Sequence, residues 1–286
     1  MALQKWLLTE PRIIDLELVR SLTVGLIAGK VDIIGHDEPG ARIEVHSVSG
    51  KELRIEIDGD RLEIDHPQLR WDNFIEVFRT FRGSARADIS VMVPRNVALK
   101  FGVVSANALV SGLVTDARIS TVSGDIVIDD VTGDLELNSV SGELSARNHT
   151  GRVTAHTVSG DIMAQGELSS FTSDGVSGNV FLDVLGIPDR IRTNTVSGDL
   201  TVRLDEGVPA HYKVNTVSGK LQLDNHSVSG VRGSTYTLST GELAGQWVDV
   251  AANSVSGDVS VVRRFVDPAA APAAAADGTA SDGASA

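Results

Sequence analysis

The stretch NTVSGDLTVRL, from Asn194 to Leu204, contains a phrase that recurs through much of the chain. The central copies of VSG end at glycines that are 18 residues apart, namely Gly124, Gly142, Gly160 and Gly178. The next copies end at Gly198 and Gly219, after intervals of 20 and 21 residues. A reactive site needs its residues once, whereas a repeat fold needs the same residues in every unit. The repetition therefore indicates a repeat fold and not, in the first place, a reactive site.

Each 18-residue unit contains two 9-residue halves in which apolar and polar residues alternate. One half reads VSGELSA from Val140, and its weaker echo reads HTGRVTA from His149. Alternation with a period of two predicts a strand that buries one face. We interpret the valine, the glycine and the aliphatic residues as the inward row, as in Val140, Gly142, Leu144 and Ala146, in Val158, Gly160, Ile162 and Ala164, and in Val196, Gly198, Leu200 and Val202. Glycine there lets the chain bend or lets backbones approach closely at a corner.

The 18-residue match favours parallel stacking over an antiparallel meander. In a coil with two strands per turn, residue i lies above residue i+18, whereas a meander would place each strand beside its weaker half-unit echo. We therefore predict an all-β fold, a parallel β-solenoid with two strands per roughly 18-residue turn, over residues 105–266. Leu144 and Ile162 should then lie side by side in segments that run in the same direction.

Polar residues form three more columns in this register. The polar column, four residues before each glycine, consists of Ser120, Asn138, His156, Asp174, Asn194, Asn215, His226 and Asn253. We favour turn residues that bond to backbone or to each other over a metal site, because the histidines alternate with asparagine. The acidic column, just after the glycine, consists of Asp125, Glu143, Asp161, Asn179, Asp199, Lys220 and Asp258. We interpret it as a solvated ridge and not a calcium site, because the nonapeptide GGxGxDxUx is absent.

The hydroxyl column precedes the valine of each phrase and consists of Ser139, Thr157, Thr195, Thr216 and Ser254. One interpretation is a flat hydroxylated surface that orders water. Ordinary solvation of a strand edge explains mixed serine and threonine better, and we favour it.

Residues 1–104 are β-rich, and we predict that they form an N-terminal segment outside the repeat register that caps the coil. The sequence RIEIDGDRLEID, from Arg54 to Asp65, predicts a hairpin with an Asp-Gly turn. Aromatic residues at helical spacing indicate an amphipathic helix over residues 70–82. The residues proposed to cover the coil's open end, or else to bind a partner, are Trp71, Phe74, Phe78, Phe81, Arg79 and Arg82. We favour the cap, because an open end exposes unpaired strand edges.

Composition narrows the partners and the compartment. The chain has 25 Lys plus Arg against 38 Asp plus Glu, and its net charge of −13 repels nucleic acid and anionic lipid. The absence of cysteine excludes disulfides and thiolate metal sites. No segment has the length of a membrane span or a signal-peptide core, so we expect a cytoplasmic protein. Residues 267–286 are mostly small, and we expect a disordered tail.

The VSGD-type repeats, with the lead-in VMVPRNVALKFGVVSANALVSG from Val91 to Gly112, resemble the bacterial "putative adhesin" family, a β-strand-repeat domain of unknown function. The resemblance covers roughly residues 13–262. It implies a β-solenoid without established catalytic residues, and the word adhesin reflects likeness only. The sequence differs from a surface adhesin in lacking an export signal, and no residue is carried over as a functional site.

These observations predict a non-enzymatic scaffold or protein-interaction module whose protein partner is unknown. A self-assembling, cytoskeletal-type polymer is an alternative, because parallel turns can continue end to end and form a homo-oligomer. A carbohydrate-binding or carbohydrate-active solenoid is another. An enzyme is disfavoured because the acidic residues are periodic and the motifs GxGxxG, GxSxG, HExxH and Walker A are absent. We predict no catalytic residue, no cofactor and no metal ligand.

Overall fold

A computed structural model describes residues 3–67, 85–228, 234–243 and 245–264, and every regular element in these ranges is a β-strand. The strands belong to one hydrogen-bonded sheet of 22 strands. The first ten are β1 (Gln4–Leu8), β2 (Arg12–Leu16), β3 (Ser21–His36), β4 (Ala41–Ser49), β5 (Leu53–Asp58), β6 (Arg61–Asp65), β7 (Arg86–Pro94), β8 (Ala98–Ser111), β9 (Ala117–Thr121) and β10 (Ile126–Asp129).

The remaining strands are β11 (Leu135–Ser139), β12 (Leu144–Thr157), β13 (Ile162–Gly175), β14 (Val180–Val184), β15 (Arg190–Ser197), β16 (Leu200–Asp205), β17 (Ala210–Ser218), β18 (Leu221–Leu223), β19 (His226–Val228), β20 (Ser234–Thr240), β21 (Val248–Ser256) and β22 (Val259–Arg264). The predicted all-β class is confirmed. The helix predicted over 70–82 falls outside the described residues. Within those residues, the structure contains no helix with the length and apolarity needed to cross a bilayer.

Strands 18 residues apart stack in parallel and form two columns. In one column Leu135 of β11 pairs with Val153 of β12, and in the other Leu144 of β12 pairs with Ile162 of β13. All four side chains are buried. Each inward aliphatic residue thus packs on an equivalent residue in the next strand, and the predicted parallel pairing of Leu144 with Ile162 is confirmed.

The glycine of each VSG phrase lies where neighbouring corners touch. A Cβ built on Gly142 would lie 2.1 Å from the carbonyl oxygen of Gly124, and one on Gly160 would lie 2.1 Å from that of Gly142. Contacts this short do not occur for real Cβ atoms. The corner therefore requires glycine for close backbone approach, as the sequence predicted.

The valine of the phrase faces solvent, which contradicts the prediction that it faces inward. Val140, Val158 and Val196 are 37%, 49% and 49% exposed. The inward position belongs to the preceding hydroxyl residue, such as Ser139, which is 6% exposed. The reason lies in the corner, where two consecutive residues, the valine and the serine, point outward, so the period-two alternation shifts by one position.

The N-terminal residues continue the same two columns. Strand β3 runs parallel to β8 over most of its length, with Leu22 opposite Leu99 and Val31 opposite Ala108. The prediction that the first hundred residues lie outside the repeat register is therefore wrong for β3, whose 77-residue offset from β8 hides the match. Strand β8 itself runs through the predicted domain boundary at 104/105. Strands β6 and β7 pair in parallel with β3, and β5, β4, β1 and β2 follow in antiparallel pairs.

The predicted hairpin is confirmed as the pair β5 and β6, but the predicted Asp58-Gly59 turn is wrong by one position. Its two-residue loop is Gly59 and Asp60, because Asp58 already pairs with Arg61. Gly59 adopts a φ of +65°, which glycine tolerates best.

The last turn of the chain is inserted out of sequence order. Strand β21 pairs in parallel with both β15 and β17, and β22 pairs in parallel with both β16 and β18. The final VSG phrase therefore lies between the copies ending at Gly198 and Gly219. Strands β20 and β19 then close this end as antiparallel neighbours of β17 and β18. His226 pairs with Leu223 in that antiparallel contact, so its predicted place in the polar column is wrong.

Candidate interaction surface

The outward valines form a continuous apolar line, which we call the valine stripe. Its members are Val140, Val158, Val176, Val196, Val255 and Val217, each between 37% and 54% exposed. The corners are stacked by backbone hydrogen bonds, with the N–H of Ser159 donating to the carbonyl of Val140 and that of Ser177 to Val158. A β-branched side chain repeated at one exposed position through six turns is an ordered apolar edge.

The polar column runs beside the stripe and is hydrogen-bonded from Asp174 to Asn215. The Asn194 amide donates to Asp174 at 2.7 Å, Asn253 donates to Asn194 at 2.7 Å, and Asn215 donates to Asn253 at 2.6 Å. His156 lies 3.6 Å from the Asp174 carboxylate. The predicted bonding along the column is confirmed for these members. The bonds follow the inserted order of the strands and not the order of the sequence.

Shallow grooves lie between the stripe and the polar column. One, of about 350 Å³, is lined by Asn138, Val140, His156, Val158 and their neighbours. A second, of about 340 Å³, is lined by the equivalent residues of the C-terminal turns, including Asn215, Val217 and Val255. The two grooves place apolar and amide groups side by side, which suits a surface that binds both side chains and polar backbone.

The acidic column borders the stripe on its other side. Its side chains accept hydrogen bonds from the backbone N–H of the equivalent residue in the next turn, as Asp125 does from Glu143 at 3.1 Å and Asp161 from Asn179 at 2.7 Å. Asp199 accepts from Asp258 at 2.8 Å in the same way. The predicted ridge is therefore also a structural ladder, and its carboxylates keep one oxygen for solvent or a partner. No cluster of potential metal ligands occurs among the described residues.

Ser139, Thr157 and Thr216 of the hydroxyl column are buried at the corners and Thr195 and Ser254 are half-buried, which contradicts both the favoured interpretation as a solvated strand edge and the alternative of a flat hydroxylated surface. Thr157 is 8% exposed and Thr216 is 3% exposed. Ser139 Oγ accepts from the N–H of Gly142 at 2.9 Å and donates to its carbonyl at 2.8 Å. One inward hydroxyl thus satisfies both polar groups of a buried glycine, which explains why serine or threonine, and not valine, faces inward.

Two partly buried ion-pair clusters join the inserted strand β22 to its neighbours. Arg263 donates to Asp224 at 2.7 Å and to Tyr212 Oη at 2.9 Å, and Arg264 donates to Asp183 and Asp205. Hydrogen bonds from Arg203 and Arg264 hold the pKa of Asp183 below its usual range, although burial opposes them. Burial alone would raise the pKa of Asp224, but Arg263 outweighs it and the pKa is lowered. These charged groups are therefore engaged in structural pairs.

Two histidines that the sequence reasoning did not single out are fully buried. His66 accepts a hydrogen bond at Nδ1 from the backbone N–H of Ile27 at 3.2 Å, and burial lowers its pKa to about 4. Burial also lowers the pKa of His149, which lies at the bulge in β12. Burial therefore favours the neutral form of both rings.

The predicted cap or partner residues Trp71, Phe74, Phe78, Phe81, Arg79 and Arg82 lie outside the described residues. The sequence analysis did not predict the exposed stripe, because it continued the period-two alternation of inward and outward residues through the corner. The sequence carries no sign of this shift, because a glycine corner that places two consecutive residues outward moves the alternation by one position without changing the residue types.

A family model described as Toastrack DUF4097 matches residues 19–262. The chain belongs to this family, which confirms the predicted resemblance to a repeat β-domain of unknown function. A search of curated proteins finds no match.

Several solved structures are similar along most of their length. A protein from Parabacteroides distasonis described as a "putative adhesin" has 14% identity and a TM-score of 0.46, with 92% of this chain and 97% of that chain covered. A "putative lipid binding protein" from the same organism has 11% identity and a TM-score of 0.47, with 90% and 97% covered. A "putative cell adhesion protein" from Clostridium sporogenes has 13% identity and a TM-score of 0.32, with 89% and 100% covered.

Proposed function

We propose that the protein is a non-enzymatic scaffold and protein-interaction module that binds a protein partner along the valine stripe. The observation that carries this proposal is the exposure of six stacked valines on one edge. Scattered apolar residues on a surface need no explanation, but a contiguous apolar line rimmed by polar groups is typical of an interaction site.

The chemistry beside the stripe favours a basic partner. The acidic column places Asp125, Glu143, Asp161 and Asp199 along one side of the valines, all exposed. A second copy of the chain would bring two such columns together, and its net charge of −13 would add to the repulsion. The partner that fits is a protein with an apolar strip flanked by lysine or arginine.

We also propose how the strands of the scaffold are arranged. We interpret the two parallel columns as the two sides of a coil with two strands per turn, capped at its N-terminal end by the antiparallel pairs of β1, β2, β4 and β5. A coil of this kind is stiff because every turn is bonded to both neighbours. Stiffness favours binding, because the stripe needs no ordering when a partner docks.

The engagement of Asp183, Asp224 and Tyr212 in structural pairs supports a non-enzymatic role for these three groups. Asp183 and Asp224 are tied to arginines, and Tyr212 hydroxyl donates to Asp224 at 2.9 Å while burial raises its pKa to about 12. Groups held in fixed structural pairs do not have the freedom that proton transfer to a substrate requires.

The test begins with a photo-crosslinking amino acid placed at position 158 in the native cell, which captures the protein that contacts the stripe. The captured protein is then purified, and its affinity is measured for the wild-type chain and for the triple variant Val158→Thr, Val176→Thr and Val196→Thr. Threonine keeps the β-branched shape and replaces one of the two exposed methyl groups at each position with a hydroxyl, so we expect binding to weaken by about tenfold or more.

The matched control is Met163→Thr, a half-buried outward position in the other column of strands. The control should bind as the wild type does. Equal affinity of the triple variant and the wild type would overturn the proposal. Crosslinks that join only copies of this chain, with growth of long species in light scattering, would instead favour the self-assembling polymer.

A further inference from the structure

A groove of about 540 Å³ lies where the chain departs from its 18-residue repeat. Its polar and aromatic lining consists of Asp189, Arg190, His211, Gln246, Trp247 and Asp249. Two of its walls come from the lengthened corners that begin GIPDR at Gly186 and GVPAH at Gly207, and the third comes from the loop that ends in GQW before β21. Insertions in repeat proteins commonly converge on a binding face. The regular turns have no equivalent of this loop.

Backbone hydrogen bonds fix the three segments against each other. The N–H of Val248 donates to the carbonyl of Pro209 at 2.9 Å, and the N–H of Asp249 donates to that of Asp189 at 3.3 Å. The loop that carries Trp247 is therefore attached to both lengthened corners immediately after the tryptophan. This attachment preforms the groove, which reduces the ordering that a ligand would have to impose.

The floor of the groove is a row of polar side chains on adjacent strands. Arg190 of β15, Asp249 of β21 and His211 of β17 lie side by side in register. The Arg190 guanidinium lies 3.9 Å from the Asp249 carboxylate, and His211 Nδ1 lies 3.0 Å from Ser239 Oγ. Donors and acceptors thus alternate across the row at the spacing of neighbouring strands.

Trp247 provides an apolar platform beside this row. Its side chain is 42% exposed, although an indole ring gains much from burial. Carbohydrate rings combine an apolar face of C–H groups with a rim of hydroxyls, so they suit an exposed indole next to alternating carboxylate, guanidinium and imidazole groups. We propose that this groove, which is separate from the valine stripe, binds a neutral oligosaccharide, with the sugar ring stacked on Trp247 and its hydroxyls bonded to Asp249, Asp189 and His211.

The charges of the groove select against other small ligands. Asp189 and Asp249 disfavour phosphate or carboxylate ligands, because Arg190 is the one opposing cation in the lining and is already near Asp249. A purely apolar ligand would leave these charged groups desolvated without partners. A sugar uses both the aromatic face and the polar row.

The experiment uses the full chain on an array of immobilised neutral oligosaccharides, followed by calorimetry and tryptophan fluorescence with the soluble form of the strongest binder. We expect saturable binding and a change in emission. Trp247→Ala should weaken the affinity by about tenfold or more, and Asp249→Asn by about fivefold to tenfold, because each removes a direct contact. Trp247→Phe should retain most of the affinity, since the ring face remains.

Two controls keep the test specific. Trp6→Phe removes an indole that packs against the core far from these strands in the sheet order, and Val158→Thr alters the valine stripe; both should bind sugar as the wild type does. Melting temperatures confirm that each variant is folded. The proposal is overturned if no oligosaccharide binds or if Trp247→Ala binds equally well. It is also overturned if a crosslinker at position 246 captures a protein whose binding is not reduced by any of the sugars.

Discussion

The central turns and the C-terminal turns solve the same packing problem in different ways. In the central turns, consecutive segments stack on each other and the corners are held by a glycine and an inward hydroxyl, as at Gly142 and Ser139. In the C-terminal turns, β22 enters between β16 and β18, and arginines hold it on both sides.

The difference follows from the length of chain that must be closed. Central partners are 18 residues apart, whereas Leu200 of β16 pairs with Val259 of β22, 59 residues later. Loop-closure entropy grows with the logarithm of length, so the longer closure costs about 1 kcal/mol more. A half-buried arginine–aspartate pair is worth more than that when one partner is removed. The inserted turn keeps the close glycine contacts of the central corners, with a Cβ on Gly257 lying 2.1 Å from the Gly198 carbonyl oxygen, and adds largely buried ion pairs of its own.

The largest effect should come from enlarging a central corner. Gly142→Ala places a Cβ 2.1 Å from the Gly124 carbonyl oxygen, so the two backbones must separate and the stack above and below must follow. We expect a loss of about 4 kcal/mol in the free energy of unfolding, at the upper end for overpacking a rigid site. Urea denaturation followed by circular dichroism measures the change.

The matched control is Gly245→Ala, in the loop before β21. No atom lies within 4 Å of the Cβ that alanine would add there, so stability should change by less than about 1 kcal/mol. Equal effects of the two substitutions would show that the corners are not in close contact, and the account of the repeat would be wrong.

The next effect should come from removing one of the arginine–aspartate pairs that hold the inserted strand β22, which we call the clamps. Arg263→Ala leaves the Asp224 carboxylate, which is only 11% exposed, without its cation and removes donors to Tyr212 and to the Val208 carbonyl. We expect a loss of about 3 kcal/mol, because an unpaired buried charge is costly. Hydrogen exchange should show the loss concentrated in β22 and β18, and not in β10.

An exposed ion pair in the central turns supplies the contrast. Arg118 is 59% exposed beside Glu136, and its replacement by alanine should cost less than about 1 kcal/mol. If Arg263→Ala and Arg118→Ala cost the same, the clamps do not distinguish the two regions.

A moderate effect should come from the corner hydroxyl. Ser139→Ala leaves the buried N–H and carbonyl of Gly142 without their shared partner, which should cost about 2 kcal/mol. Ser139→Thr should be nearly neutral, because Thr121 and Thr157 make the same pair of bonds in the adjacent turns. An equal loss in both variants would mean that the side-chain shape, and not the hydroxyl, stabilises the corner.

The sequence predicted what repetition encodes directly. The 18-residue period placed Leu144 beside Ile162, the glycines at close contacts and the asparagines in a bonded column, because identical residues report identical surroundings. It did not predict the facing of Val140, since the corner shifts the alternation by one position without changing the residues. Only the burial of Ser139 reveals that shift.

The repeat pattern also did not predict the spatial order of the strands in the stack. Asn253 lies between Asn194 and Asn215, and nothing in three equivalent phrases says which is in the middle. The arginines of β22 were a usable signal, since Arg263 and Arg264 are adjacent charges in a strand otherwise made of valine and serine. The sequence did not predict the Trp247 groove for a related reason, because the segments that form its walls lie outside the 18-residue repeat.

The smallest effect should be a loss of stability at mildly acidic pH. It should come from the two buried histidines, His66 beside the N-terminal strands and His149 in the central turns. His66 is neutral in the folded protein with a pKa of about 4, whereas in the unfolded chain its pKa returns to about 6.5. The unfolded state therefore binds a proton first, and the free energy of unfolding falls as the pH falls from 6.5 towards 4. Between pH 7 and pH 5.5 the loss from His66 should be about 1 kcal/mol. His149 contributes with the same sign, because burial lowers its pKa as well.

The chosen pH range separates the histidines from the clamps. The pKa values of Asp183 and Asp224 are lowered from 3.8, so their stabilisation is present above about pH 5 and is lost as the pH falls further. His66→Asn keeps an acceptor for the Ile27 N–H and cannot titrate, so its unfolding free energy should change less between pH 7 and pH 5.5 than that of the wild type. A wild-type slope that persists in His66→Asn would assign the acid sensitivity to His149, and thus to the central turns rather than to the N-terminal strands.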